Sequence, residues 1–346
     1  MGLLNNAFVG LRGKLLSTYS FLLLANGAAW LWAALAFRHF PLLLGTAFLA
    51  YSFGLRHAVD ADHIAAIDNV TRKLMQEGKR PVTVGLMFSL GHSTIVFVGS
   101  ILLASTAQSL QHRVETFRNF GGLIGTTVST LFLFGIALAN LTALRGIYRV
   151  FARVRKGAPY IEEEMDLLLA NQGLLARVLR PMFKLIRESW HMYPLGVLFG
   201  LGFDTATEIG LLSISATEAT RGLPLLATLV FPTLFAAGMC LVDTTDNVLM
   251  LGAYGWAFVK PVRKLYYNLT ITLVSIIVAL VVGSVEALGL LVAHFRLNGS
   301  LWDLIRRLNE NFGTLGYLII AIFMVSWIGS ITFYRLKRLD DSSVQA

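Results

Sequence analysis

Apolar residues in this chain follow neither the strand period nor that of an amphipathic helix; they run together in blocks. Eight stretches of roughly 18 residues or more are mainly apolar. They cover about 19–37, 43–68, 82–105, 120–144, 194–217, 223–258, 268–295 and 313–334, each bounded by charges or by Pro, Asn and Gly. Blocks of that length match the hydrocarbon thickness of a bilayer. No ten-residue alternation of a membrane barrel is present, and backbone amides cannot stay unpaired in lipid, so each block is expected to be a helix. The sixth is long and holds Pro232, which predicts a kink or an interfacial extension. The first ends in Ala34-Leu35-Ala36, a small-residue pattern that a signal peptidase could read, but Trp30 and Trp32 suit the interface anchor of a retained span. The expected fold class is an all-α polytopic membrane protein of about eight transmembrane helices, with residues 1–346 as a single transmembrane domain.

Composition agrees. Of 346 residues 55% are hydrophobic and 14% charged, against about 45–50% and about 25% in soluble domains. This excludes an ordinary soluble enzyme and a disordered chain, and the lone Cys240 excludes a disulfide scaffold. Of the 29 Lys and Arg, 21 fall in the N-terminal segment, alternate loops and C-tail, 7 in the other loops, and Arg56 inside a block. Positive residues stay on the cytoplasmic side, so both termini are expected there, with 145–193 as a cytoplasmic loop between helices four and five. Topology thus accounts for the net charge of +9, and no nucleic-acid partner is implied.

The chemistry lies in charges placed where lipid should be. Asp60, Asp62, Asp68, Asp204, Glu208, Asp243, Asp246 and Glu286 fall inside or at the ends of blocks, with His57, His63 and His92. A charge at a span's centre costs about 2.5–3.5 kcal/mol on insertion scales. Eight facing lipid would cost on the order of 20 kcal/mol, more than a typical domain's stability. They must face one another, water or an ion. Carboxylate with imidazole suits first-row transition metals; alkali ions need no histidine and calcium wants oxygen alone. The blander alternative is a closed polar network in which Arg56 pairs with Asp60.

Span two reads Arg56-His57-Ala58-Val59-Asp60-Ala61-Asp62-His63. At about 100° per residue His57, Asp60 and His63 share a third of the helix surface, while Asp62 points elsewhere and joins them only if the helix unwinds locally. Span three offers Ser89, His92 and Ser93 on one face, with Gly91 for close approach. Span five places Asp204 and Glu208 at i, i+4, a repulsive pair without a cation or proton between them. Span six stacks Asp243, Asp246 and Asn247; Cys240 shares the face as a soft ligand or, more commonly, a small hydrophobe. Asp68 and Glu286 are weaker candidates. Phe53-Gly54-Leu55 and Phe199-Gly200-Leu201 stand 146 residues apart, each ahead of a charged motif, which suggests an inverted repeat around the site.

The strings RHAVDADHIAAIDN, LGHST, LGFDTATEIGLL and LVDTTDN, in this order, resemble the NiCoT family of nickel/cobalt permeases, whose hallmark His-x4-Asp-His is met by His57, Asp62 and His63. The resemblance covers all four motif-bearing helices. It implies high-affinity, slow uptake of Ni2+, with Co2+ as a further cargo, across a bacterial plasma membrane to supply metalloenzymes. It also implies that metal preference is set at Asn26 and Val59. The metal-site residues expected are His57, Asp60, Asp62, His63, His92, Asp204, Glu208, Asp243, Asp246 and Asn247, with Ni2+ or Co2+ as substrate and no cofactor. The expected partners are the ion and the lipid bilayer.

A Gly-x4-Gly-Lys-Ser/Thr phosphate loop is missing from the sequence, so ATP hydrolysis by that route is not expected, and no ATPase subunit is required. A transition-metal exporter would use the same site chemistry in the opposite direction; such proteins often add a histidine-rich loop, and 145–193 holds only His191. An intramembrane metalloenzyme would show His-Glu-x-x-His or clustered histidine boxes, which the chain lacks.

Overall fold

The computed structural model describes residues 10–105, 111–155, 186–201, 205–257 and 261–336, and among these every regular element is helical. The helices are α1 (Arg12–Ala36), α2 (Pro41–His57), α3 (Ala61–Gln76), α4 (Val84–Ser105), α5 (Gln111–Arg155) and α6 (Met192–Gly200). They continue with α7 (Ala206–Thr220), the single turn α8 (Leu225–Thr228), α9 (Val230–Ala257), α10 (Pro261–Phe295), α11 (Ser300–Glu310) and α12 (Phe312–Leu336). Among the described residues five helical stretches are long and apolar enough to cross a membrane, and two bent pairs, α2 with α3 and α11 with α12, raise the number to as many as seven. The expected span 194–217 corresponds to α6 and α7; residues 202–204 between them, including Asp204, lie outside the described residues. Of the expected loop 145–193, residues 145–155 continue α5 as helix, and 156–185 lie outside the described residues. Pro232 falls in the first turn of α9, where its missing N–H costs no hydrogen bond.

Expected span two is not one helix. It breaks after His57 and resumes at Ala61, bent by 51°. No proline or glycine causes the break. Asp60 is extended (φ −65°, ψ 145°) and occupies the N-cap position of α3, a place where the short carboxylate side chain is preferred. The shared face drawn for an undistorted helix is therefore corrected: His57 closes one helix, Asp60 sits in the gap and His63 belongs to the first turn of the next.

Helix α9 is the centre of the bundle. It packs on α1, α2, α3 and α4, while α6 lies along α4, α10 along α5 and α12 against α3. The seam between α4 and α9 depends on Gly85, where a Cβ would run into the backbone carbonyl of Asp243. Gly316 of α12 sits as tightly on the carbonyl of Val59, in the gap between α2 and α3. Leucines and phenylalanines such as Leu24, Leu42, Phe48 and Leu131 are exposed on the outside, as befits helices whose outer solvent is lipid. The polar residues are inside: His57, Asp60, His63, Asp68, His92, Glu208, Asp243 and Asp246 are all buried.

Candidate metal site

The site is built where α3 and α7 begin. An N-cap Asp ordinarily accepts a hydrogen bond from the first turn of its helix. Asp60 makes no such bond; its Oδ2 lies 2.9 Å from His57 Nδ1. Across from it, α7 starts at Thr205, whose Oγ1 accepts the Glu208 backbone N–H at 3.4 Å and donates to Glu208 Oε2 at 3.0 Å. The Thr-x-x-Glu sequence is that of a capping box, here with the Glu208 carboxylate accepting from the Thr205 hydroxyl. Both helix N-termini turn their positive dipole ends toward this gap.

Three imidazoles meet in this gap. Ring centroids lie 4.6 Å apart for His57 and His63, 4.7 Å for His57 and His92, and 4.9 Å for His63 and His92. One nitrogen from each stands within 4.8 Å of the others. Nitrogens adjacent in the shell of a first-row ion stand roughly 3 Å apart at ligand distances of about 2.1 Å, so holding one ion would require the rings to move inward.

Hydrogen bonds fix which nitrogens are available. His57 Nδ1 faces Asp60, and His63 Nδ1 lies 3.2 Å from Asp243 Oδ2. With the carboxylates accepting hydrogen bonds from Nδ1–H, both Nε2 atoms are left with their lone pairs free, the tautomers following from the partners. His57 Nε2 is 2.9 Å from His92 Nε2, which is 2.8 Å from Glu208 Oε1. His63 Nε2, His92 Nδ1 and Asp243 Oδ1 are buried without a hydrogen-bond partner. Ser89 donates to Asp243 Oδ2 at 2.5 Å, leaving that second oxygen unspent. Buried polar atoms are seldom left unpaired, and these three add unspent nitrogen and oxygen donors to the cluster, the donor types that suit a transition-metal cation. Phe88 against His63 and Phe235 against His57 wall the cluster with apolar surface.

The remaining sequence candidates divide. Asp62 is half-buried in the first turn of α3, close enough to His57 and His63 for their charges to interact. Asn247 is spent on structure: its Nδ2 donates to the carbonyls of Pro81 and Val82 at 3.1 and 2.7 Å, and its Oδ1 accepts from Thr71 at 2.6 Å. Asp246 makes no hydrogen bond to the three histidines (see below). Asn26 is likewise committed, donating to the carbonyls of Leu22 and Ala237 at 2.8 and 3.3 Å and accepting from Tyr51 Oη at 3.0 Å. Val59 lies in the α2–α3 gap beside the cluster. Cys240 packs with Leu22 and Leu86 as a hydrophobe. Glu286 accepts from Ser129 and Thr130 at 2.8 and 3.1 Å between α5 and α10. The sequence assigned no role to Thr205, to Ser89, or to Thr207, whose Oγ1 lies 3.3 Å from His57 Nδ1. The Thr-x-x-Glu capping signature at Thr205 and Glu208 was the available signal for the first.

An all-helical membrane protein with imidazoles and carboxylates gathered at interrupted helices is the architecture of an ion-translocating carrier. Comparison with known proteins gives the particular lineage. Residues 43–333 match the NicO family model, described as high-affinity nickel-transport protein. The chain is 60% identical over 335 residues to a high-affinity nickel transport protein of Cupriavidus necator, covering 97% of this chain and 95% of that one. It is 40% identical to the high-affinity nickel-transport protein NixA of Helicobacter pylori (84% and 88% covered) and 41% identical to the cobalt transport protein NhlF of Rhodococcus rhodochrous (85% and 84%). The chain belongs to the NicO family of nickel transporters. No solved structure matches it.

Proposed function

We propose that the whole chain acts as one permease domain that imports Ni2+, and Co2+ as an alternative cargo, across the bacterial plasma membrane. The observation that carries this is the trio His57, His63 and His92, with Asp60 and Asp243 orienting two of the rings and Glu208 beside the third. In this reading His57, His63 and His92 hold the ion, and Asp243 Oδ1, Glu208 and Asp62 supply oxygen and charge. Asn26 and Val59 tune preference: Val59 as a wall of the α2–α3 gap, Asn26 by fixing how α1, α2 and α9 meet. Eight crossings with both ends in the cytoplasm suit the distribution of Lys and Arg. The interruption at 58–60 and the start of α7 at Ala206, each behind a Phe-Gly-Leu sequence, support an inverted repeat of α2–α3 and α6–α7.

The driving force needs no ATPase subunit. An inside-negative potential contributes about 2.3 kcal/mol per charge per 100 mV, hence about 4.6 kcal/mol for a divalent ion. The test is accumulation of labelled Ni2+ by cells expressing the chain, with Co2+, Zn2+ and Mg2+ as competitors. Uptake abolished by His57→Ala or His63→Ala, with the protein still in the membrane, supports the assignment; wild-type uptake in both variants rejects it.

A further inference from the structure

Beyond the histidine cluster, along α3 toward the basic residues Arg72 and Lys73, lies a second group of buried acids. Asp68 is five residues past His63, about 7.5 Å along the helix. It is completely buried; Tyr254 Oη donates to its Oδ1, and Ser275 Oγ donates to its Oδ2 at 2.9 Å. Asp246 is one helical turn past Asp243 on α9, only 7% exposed, and its Oδ2 has no hydrogen-bond partner. The charges acting on it most strongly are those of Asp68 and Asp243. With Tyr254, Met250 and Ile271 it lines a cavity of about 20 Å³, room for one water-sized occupant.

A carboxylate oxygen without a donor, beside two further carboxylates and apolar walls, is not stable by itself. Arg72 acts by its charge on Asp68, but its Nη1 and Nη2 donate to Thr272 and Asn69 at 2.9 and 3.0 Å, and the Asp246 Oδ2 is left without a donor. The geometry points to a second cation station in which Asp246 and Asp68, with the Tyr254 hydroxyl, receive the divalent ion as it leaves the imidazoles. This inference rests on the reading of the chain as a metal-ion permease. Its donors are all oxygen, so it holds Ni2+ more weakly than the nitrogen-rich cluster does. Such an ordering suits the exit side, because conduction requires sites that bind well enough to be entered and weakly enough to be left.

The experiment is Ni2+ binding to the purified full-length chain in detergent, by equilibrium dialysis and calorimetry. Two ions per chain are expected, the second at least tenfold weaker. Asp246→Asn and Asp68→Asn should each abolish the weak ion and keep the tight one; His63→Ala should do the reverse. A wild-type chain that binds a single ion overturns the second station whatever the variants do, as does a weak ion unaffected by both carboxylate substitutions. Mn2+, which prefers oxygen donors, offers a readout without acidic-site variants. Its paramagnetic resonance should report one bound ion per chain, undisturbed by His63→Ala, and no bound Mn2+ would also overturn the station. A tight ion that survives His63→Ala instead contradicts the primary site, so the two failures can be told apart.

Discussion

Asp60→Asn is the most informative single change, because it alters one proton and almost no volume. In the native site Asp60 Oδ2 lies 2.9 Å from His57 Nδ1, and a carboxylate there can only accept, which keeps the proton on Nδ1 and the lone pair on Nε2. An amide can present either its oxygen or its NH2. In the second orientation it favours the tautomer with the proton on Nε2, the nitrogen that faces His92 at 2.9 Å. Removing such an orienting partner typically lowers metal affinity 10- to 100-fold, which is about 1.4–2.7 kcal/mol. The half-saturating Ni2+ concentration for uptake should rise by that factor, with the amount of protein in the membrane unchanged. The exposed Asp303, paired with Arg306 at 3.0 Å on α11, provides the control: Asp303→Asn should leave uptake unaltered. A half-saturating concentration within twofold of wild type in Asp60→Asn would refute the orienting role.

Three further outcomes are expected. Gly85→Ala places a methyl group against the Asp243 backbone carbonyl and forces α4 from α9; overpacking of this kind costs about 1–3 kcal/mol, read as a lower unfolding temperature in detergent, and an unchanged temperature contradicts the close seam. Asn247→Ala leaves the Pro81 and Val82 carbonyls without their donor and should cost about 1–3 kcal/mol of stability while Ni2+ affinity in the folded fraction stays as it was; a selective loss of affinity would make Asn247 a ligand after all. Val59→Phe enlarges a side chain in the α2–α3 gap and should change the Ni2+ to Co2+ uptake ratio more than the amount of inserted protein, whereas identical ratios would remove Val59 from selectivity.

Much of the site was legible because lipid makes buried charge so costly that the polar residues of apolar blocks identify themselves. His57, Asp60, His63, His92, Glu208 and Asp243 were all identified on that ground, and the structure brings them together. Within span two the wheel drawn at constant pitch does not hold, and the local unwinding it left as the alternative is what the structure shows. The Asp60-Ala61-Asp62 stretch contains an N-cap residue followed by an acidic first turn, and that local signal, not hydropathy, marks the interruption. Asp246 and Asn247 shared a predicted face with Asp243 yet have different surroundings. Neighbouring α3 and α10 bring Asp68 and Ser275 to one level of α9, and the loop at Pro81 and Val82 to the next. Which partner lies opposite each turn is tertiary information that periodicity along a single helix does not contain.

The central claim is that imidazole nitrogens from three helices bind the cargo ion. X-ray absorption at the nickel edge, on the purified chain loaded with less than one equivalent of Ni2+, tests it most directly. Imidazole outer-shell scattering from at least two rings, lost in His63→Ala, is the predicted result. A first shell of oxygen alone, indifferent to that substitution, would contradict it.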